Sequence, residues 1–379
     1  MNERSRTGTP DLFRTVGVEE ELLLVDAETG APRSTASHVL RVAARHGDGE
    51  ADADDVGGSV GPELQEQQVE TDTPPEEDLG LLEIQLGTWR EKARAAAAES
   101  GTLVLASGTT PLPVRPQTFD DERYSEMADR FGLTASEQLT CGCHVHVSVS
   151  SDDEAVGALD RIRVWLPVLL AVSANSPYWQ GTDSGYDSYR SQALTRWPTN
   201  GPTEVFGSGR AYDEHLRRLT DTGVPLDEGM AYFDARPSRR YPTLEVRVAD
   251  VCLDPRDAVL VAALARGLVS TAAADWRRGV EPDSASVALL RLAMWQAGKR
   301  GTSGDLLDPV THRPKPAREV VESLVAHVAS ALEATGDTAR VQEGVDRVFS
   351  RGTGAARQRA IVAEEGRLDR AVVRLARLT

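Results

Sequence analysis

Three consecutive glutamates stand inside an apolar run near the start of the chain, Thr15-Val16-Gly17-Val18-Glu19-Glu20-Glu21-Leu22-Leu23-Leu24-Val25. Valine, leucine and the local alternation argue for a strand, and strand side chains alternate between faces. Glu19 and Glu21 therefore share one face, and Glu20 takes the other. Two carboxylates on one face of a half-buried strand repel each other unless a cation lies between them. Oxygen-rich pairs of this kind suit Mg²⁺. A solvated edge strand with an acidic outer face is the competing reading of this segment taken alone.

Four further segments bear on that choice. In Gly142-Cys143-His144-Val145-His146-Val147-Ser148, His144 and His146 share one strand face while Cys141 and Cys143 share the other. That split disfavours a Cys/His zinc chelate, which needs all its ligands converging. Two histidines on one face suit a ligand or phosphate contact. In Thr243-Leu244-Glu245-Val246-Arg247-Val248, Glu245 and Arg247 share a face. They make either a surface ion pair of little worth or a carboxylate beside a phosphate-binding guanidinium. Glu63, Glu66 and Glu70 add carboxylates. Glu66 and Glu70 are in phase on a strand, and Glu63 joins them only if a turn intervenes. The run from Trp179 to Arg190, rich in aromatic and hydroxyl residues, suits recognition of a small zwitterion, with Arg190 as a bidentate carboxylate contact. A loop packed by its own aromatics is the alternative.

Composition excludes several partners. The chain has 379 residues, with 42 basic against 59 acidic and a net charge of -17. That balance argues against a nucleic-acid or anionic-membrane partner, though not against a local basic pocket. Three cysteines, Cys141, Cys143 and Cys252, give no disulfide framework and suit a reducing cytoplasm. No apolar signal segment is visible at the N-terminus, and no window has the unbroken apolar length of a membrane span. A cytoplasmic protein is expected.

Residues 1–12 read as disordered, and 13–379 as a single domain. Strands are expected at Phe13–Val25, Gln65–Thr71, Leu103–Ala106, Cys141–Ser150 and Thr243–Val251. Helices are expected at Ser37–Arg45, Leu79–Ser100 and Glu154–Asn175, the last kinked at Pro167. Four more follow, at Arg256–Arg277, Ala285–Ala297, Ala317–Thr335 and Ala355–Leu378. The Gly/Asp-rich run from Gly47 to Gly58 reads as a loop. The irregular stretch from Ser176 to Gly209 is long enough to suggest a functional loop. Strands early and helices late give an α+β class, an antiparallel sheet with helices on one side.

Taken in order, Gly17 to Glu21, Gly142 to His146, Trp179 to Arg190, Arg236-Pro237 through Asp250, and Gly352-Thr353-Gly354-Ala355 with Arg357-Gln358 resemble the second family of glutamate–cysteine ligases. Within it they are similar to the bacterial carboxylate-amine ligases of the YbdK type. The resemblance covers most of the chain. It implies a glutamine synthetase-like catalytic fold, in which a curved antiparallel sheet, with helices on its outer side, holds ATP and two or three divalent metals, Mg²⁺ or Mn²⁺. Carried over residue by residue, it implies metal ligands at Glu19, Glu21, Glu63, Glu70, His144 and Glu245. It puts Arg247 on the transferring phosphate, His146 beside the nucleotide phosphates, and Arg190 and Arg236 on substrate carboxylate or phosphate. The implied partners are small amino-acid substrates, and a homodimer is left open.

The implied chemistry is ATP-dependent amide formation through an acyl phosphate, with glutamate–cysteine ligase activity giving γ-glutamylcysteine. Other readings stay open: the same chemistry on another acid and amine, a metal-dependent hydrolase, or a nucleotide-binding relative without activity.

Overall fold

The computed structural model describes residues 13–49 and 57–379. The disorder expected of residues 1–12 and most of the acidic loop after Gly47 lie outside the described residues.

The first strand organises the rest. β1 (Val16–Asp26) pairs along one edge with β3 (Gln68–Asp72), which in turn carries β2 (Ser59–Pro62). The other edge of β1 is shared. β4 (Thr102–Leu105) takes its last residues, and β5 (Gly142–Ser148) takes Val16 to Glu20. Beyond a two-residue hairpin of β6 (Tyr178–Trp179) and β7 (Thr182–Asp183), β8 (Ala235–Pro237) and β9 (Thr243–Asp250) complete the sheet, in the order β2-β3-β1-β5-β9-β8. All pairings are antiparallel.

One face of this sheet is the floor of the main core. Val16, Val18, Cys143, Val145, Val147, Leu244 and Val246 all point to it. They pack with the helices Asp152–Ile162, Leu166–Ser173 and Pro255–Arg277. The last helix is apolar and long enough to span a membrane, but 89% of its most apolar window is buried inside the protein. Burial in the core accounts for its composition. It starts where the sequence asks it to, with Asp254 capping the amide of Arg256 and Pro255 in the first turn, where a missing N–H costs nothing. A second core lies under Leu22 to Val25 and takes Trp89, Ala93 and Ala97 of the helix Leu79–Ala98.

The expected α+β class is met. The expected boundaries need correction where a helix is broken. The segment expected as one helix from Glu154 to Asn175 is two, parted at Arg163–Trp165, and Pro167 sits in the first turn of the second rather than at a kink. Ala317–Thr335 splits at Val328, and Ala355–Leu378 splits at Gly366, whose left-handed φ of 64° ends the first helix. β2 and the helices Glu122–Phe131, Gly209–Thr220 and Thr338–Arg351 were not expected.

Candidate active site

Register brings the expected residues together. Across the sheet, Glu70 is opposite Glu21, His144 opposite Glu19, Glu245 opposite His146, and Arg236 opposite Glu245. Directly paired residues share a face with Cβ atoms about 5 Å apart. Alternation thus places these side chains on the face away from the main core. Glu20 takes the opposite face, as expected, and there it lies fully buried in the core against Arg90. Glu63 follows β2 in the turn its phase required, and Leu64 N donates to its Oε2 at 2.9 Å. Glu66 does not join them. The chain turns before β3, and Glu66 accepts from the amide and hydroxyl of Ser37 at the start of the helix Ala36–His46.

Glu19 is the centre of the cluster. Its Oε2 is 3.3 Å from His144 Nδ1, and its Oε1 is 3.0 Å from His146 Nε2. His144 Nε2 lies 3.7 Å from Glu21 Oε1, and His144 Nδ1 lies 3.9 Å from Glu245 Oε1. Two triads, Glu19-His146-Glu245 and Glu19-Glu70-His144, each offer ligand atoms within 4.8 Å of one another. His146, expected beside nucleotide phosphates, therefore also has metal-ligand geometry. Its Nδ1 is 2.9 Å from Thr243 Oγ1, which orients the ring.

The donor set fits a divalent cation. The Nε2 of His144 is buried and makes no hydrogen bond, while that of His146 faces Glu19 Oε1 at 3.0 Å. Burial, then Glu21, pushes the Glu63 carboxyl up to about 8. Burial, then Glu19 and Glu63, pushes Glu70 well above the carboxylate range. Glu19 itself is held well below its usual value, because His146 and His144 outweigh the effect of burial. Burial and Arg247 lower His144, while Glu19 overcomes burial to raise His146. Crowded carboxylates whose protonation burial and mutual repulsion favour, beside two buried imidazoles, could hold a hard cation.

The arginines frame the opposite side. Arg236 Nε donates to Glu245 Oε2 at 2.8 Å, and Arg247 donates to Glu245 Oε1. Against the upward push of burial, Arg247 and Arg236 hold Glu245 at about 2. Each carboxylate oxygen still has a second lone pair for a cation.

Arg190 is placed differently from expectation. The β5–β9 register shifts between Cys143 and Val145, so that Arg247 and Val248 together face one residue. This bulge turns the carbonyls of Arg247 and Val248 to Arg190, which donates to both at 3.3 Å. The terminal nitrogens of Arg190 thus serve the backbone, and only its buried Nε is without a partner. A bidentate grip on a substrate carboxylate is not presented. The guanidinium needs the bare backbone of Gly142, where a Cβ would lie 2.3 Å from it. The Gly142 amide donates in turn to Glu21 Oε2 at 2.6 Å.

Two cavities meet at this cluster. One of 330 Å³ is lined by Glu19, Glu70, His146, Glu245, Ser238, Arg239 and Tyr241. The other, of 620 Å³, is lined by Gln138, Thr140, Arg190, Trp197, Tyr232, Asp234 and Trp295. Glu21, Glu63, His144, Arg236 and Arg247 line both. Sequence reasoning missed Arg90, Asp234 and the wall from Gln138 to Thr140. They sit in stretches with no site-like pattern, and nothing in the sequence alone marks them.

Comparison with known proteins identifies the family and the fold. Residues 15–374 match the model of glutamate–cysteine ligase family 2. A protein of Streptomyces avermitilis, provisionally named glutamate–cysteine ligase 2-1, is 51% identical over 97% of this chain and 99% of its own. The fold is similar to that of a glutamate–cysteine ligase from Francisella tularensis solved with AMP. The TM-score is 0.67 at 14% identity, over 96% of this chain and 87% of that one. It is also similar to a bifunctional glutathione synthetase from Pasteurella multocida, with a TM-score of 0.65 at 17% identity, covering 97% of this chain and 51% of that one. From the match over almost its whole length, and from the register that gathers its motifs on one sheet face, this chain belongs to glutamate–cysteine ligase family 2.

Proposed function

We propose that residues 13–379 form an ATP-dependent carboxylate–amine ligase that makes γ-glutamylcysteine or a close analogue through an acyl phosphate. The observation that carries this reading is the Glu19-centred cluster of carboxylates and histidines facing Arg247 across the junction of two cavities. Phosphoryl transfer asks for cations, positioned oxygens and a guanidinium, and no protein nucleophile.

Glu19, Glu21, Glu63, Glu70, His144 and Glu245 would hold Mg²⁺ or Mn²⁺, with His146 beside them. Bound there, the metal would neutralise phosphate oxygens and polarise them as a Lewis acid. The substrate carboxylate attacks the γ-phosphorus of ATP. A new P–O bond forms, the bond to the β-phosphate oxygen breaks, and ADP leaves. Arg247 stabilises the charge on the transferring group, and Arg236 keeps Glu245 ionised and oriented. The incoming amine, as its free base, then attacks the acyl carbon. The C–O bond to phosphate breaks, phosphate leaves, and the amine loses a proton. The narrow, acidic cavity suits the phosphates and metals, and the larger one suits the amino-acid substrates.

A reducing, cytoplasmic setting is supported by three cysteines that are all free and buried. A homodimer is a matter for sedimentation. The test of function is ADP release by the purified protein. L-glutamate, L-cysteine, ATP and Mg²⁺ together should give ADP and a γ-glutamyl amide, and omitting ATP should abolish product. Turnover without ATP would instead identify a hydrolase.

A further inference from the structure

The larger cavity holds a carboxylate for which the proposed chemistry has no use. Asp234 lines it and is only 8% exposed. Its Oδ2 is buried with no hydrogen-bond partner. The cations that influence it are Arg291 and Arg190, and among the described residues neither forms an ion pair with it. Its place is fixed by the backbone. Asp234 N donates to Gly201 O at 3.0 Å, and Asp234 O accepts from Arg247 N at 2.9 Å. The carboxylate is therefore anchored one residue before β8, beside the strand that carries Arg247. Burial pushes its carboxyl up to about 7.

An unpaired buried carboxylate is costly, and it persists where a ligand completes it. We propose that Asp234 is the ammonium-binding residue of the amino-acid pocket and selects a carboxylate substrate that also carries a primary ammonium group. The inference rests on the ligase reading. The group it binds belongs to the acyl donor, not to the incoming amine. An amine held as ammonium against a carboxylate has no free lone pair and cannot attack. The donor's ammonium takes no part in the reaction and can stay protonated throughout. The unpaired Arg190 Nε in the same cavity supplies one donor for the carboxylate end of such a zwitterion. Asp234 therefore acts on specificity, through an ionic hydrogen bond that an analogue without the amine cannot make.

The test is calorimetry on the full chain with Mg²⁺ and a non-hydrolysable ATP analogue. L-glutamate is compared with glutarate, which has both carboxylates and no amine. Wild-type protein should bind L-glutamate about ten- to a hundredfold more tightly than glutarate, and Asp234→Asn should bind the two alike, with its nucleotide affinity unchanged. Its thermal stability should hold or rise, because an unpaired charge has been removed. Asp234→Glu should restore part of the preference. The idea is overturned if wild type shows no preference, or if the preference survives in Asp234→Asn. Trapping with hydroxylamine separates the two claims. Discrimination in binding without glutamyl hydroxamate would leave the ammonium site standing and refute the ligase reading.

Discussion

Arg90 grips Glu20 with two parallel hydrogen bonds, Nε to Oε2 and Nη2 to Oε1, both 2.7 Å, deep in the core where Glu20 is fully buried. The same guanidinium donates to the carbonyls of Cys252 and Leu253. The middle glutamate of the triplet is thus a strut between β1, the helix Leu79–Ala98 and the end of β9, while its neighbours face the cavity.

Arg90→Leu should cost about 3–5 kcal/mol of stability, because it leaves a buried carboxylate unpaired. Adding Glu20→Leu should recover much of that loss. Urea unfolding of the two single variants and the double variant measures it. A double variant no more stable than Arg90→Leu would show that the lost bonds to the Cys252 and Leu253 carbonyls, and not the unpaired Glu20 carboxylate, carry the cost.

Glu19→Gln and Glu21→Gln each remove a proposed cation ligand, so turnover should collapse in both. Metal-free stability should hold or rise in Glu21→Gln, which relieves repulsion with Glu63 and Glu70, and should fall in Glu19→Gln, which loses the contacts with His144 and His146 that hold its carboxyl low. Melting temperatures with and without Mg²⁺, beside ADP release, check both halves. Wild-type turnover at saturating metal would remove the residue from the ligand set.

Metal binding should release protons at neutral pH. In the metal-free fold Glu63 titrates at about 8, against about 4.3 in an unfolded chain. Between those values the folded state holds the extra proton, so metal-free stability falls as pH rises through that window. A cation must displace the proton, so its affinity should rise from pH 6 to 8 and level off above. Calorimetry in buffers of different ionisation heat counts the protons. None released at pH 7 would show that Glu63 does not bind the metal.

Asp250 should govern order in the loop before Arg190. Fully buried, it accepts from Asn175 N at 2.8 Å, Ser176 Oγ at 2.7 Å and Ser188 Oγ at 2.9 Å. Asp250→Ala leaves these donors without an acceptor and should cost about 3 kcal/mol. Hydrogen exchange should accelerate across residues 176–190 far more than in β1. Uniform acceleration would mean a global effect.

The sheet face was legible because period-two alternation places side chains without any knowledge of the fold: Glu19 with Glu21, His144 with His146, Glu245 with Arg247. The turn at Glu63 followed from a phase conflict with Glu70, and Glu66 was misplaced because nothing local showed that the chain turns before Gln68. Asp234 and Arg90 were illegible for a different reason. A lone aspartate or helical arginine looks solvated in sequence, and only tertiary burial shows the first unpaired and the second committed to Glu20. The bidentate grip expected of Arg190 was not legible as blocked, since the bulge at Arg247 and Val248 that takes its terminal nitrogens and leaves Nε alone for a ligand is a feature of register between distant strands.

The central claim is that Arg247 acts on the phosphate in flight, and single-turnover formation of acyl phosphate, trapped with hydroxylamine, tests it most directly. Arg247→Lys keeps the charge and loses the planar fork. It should bind ATP nearly as well as wild type and form acyl phosphate about a hundredfold more slowly, a loss of roughly 3 kcal/mol of transition-state stabilisation. Acyl phosphate formed at the wild-type rate would contradict the account and return Glu245 and Arg247 to a structural ion pair.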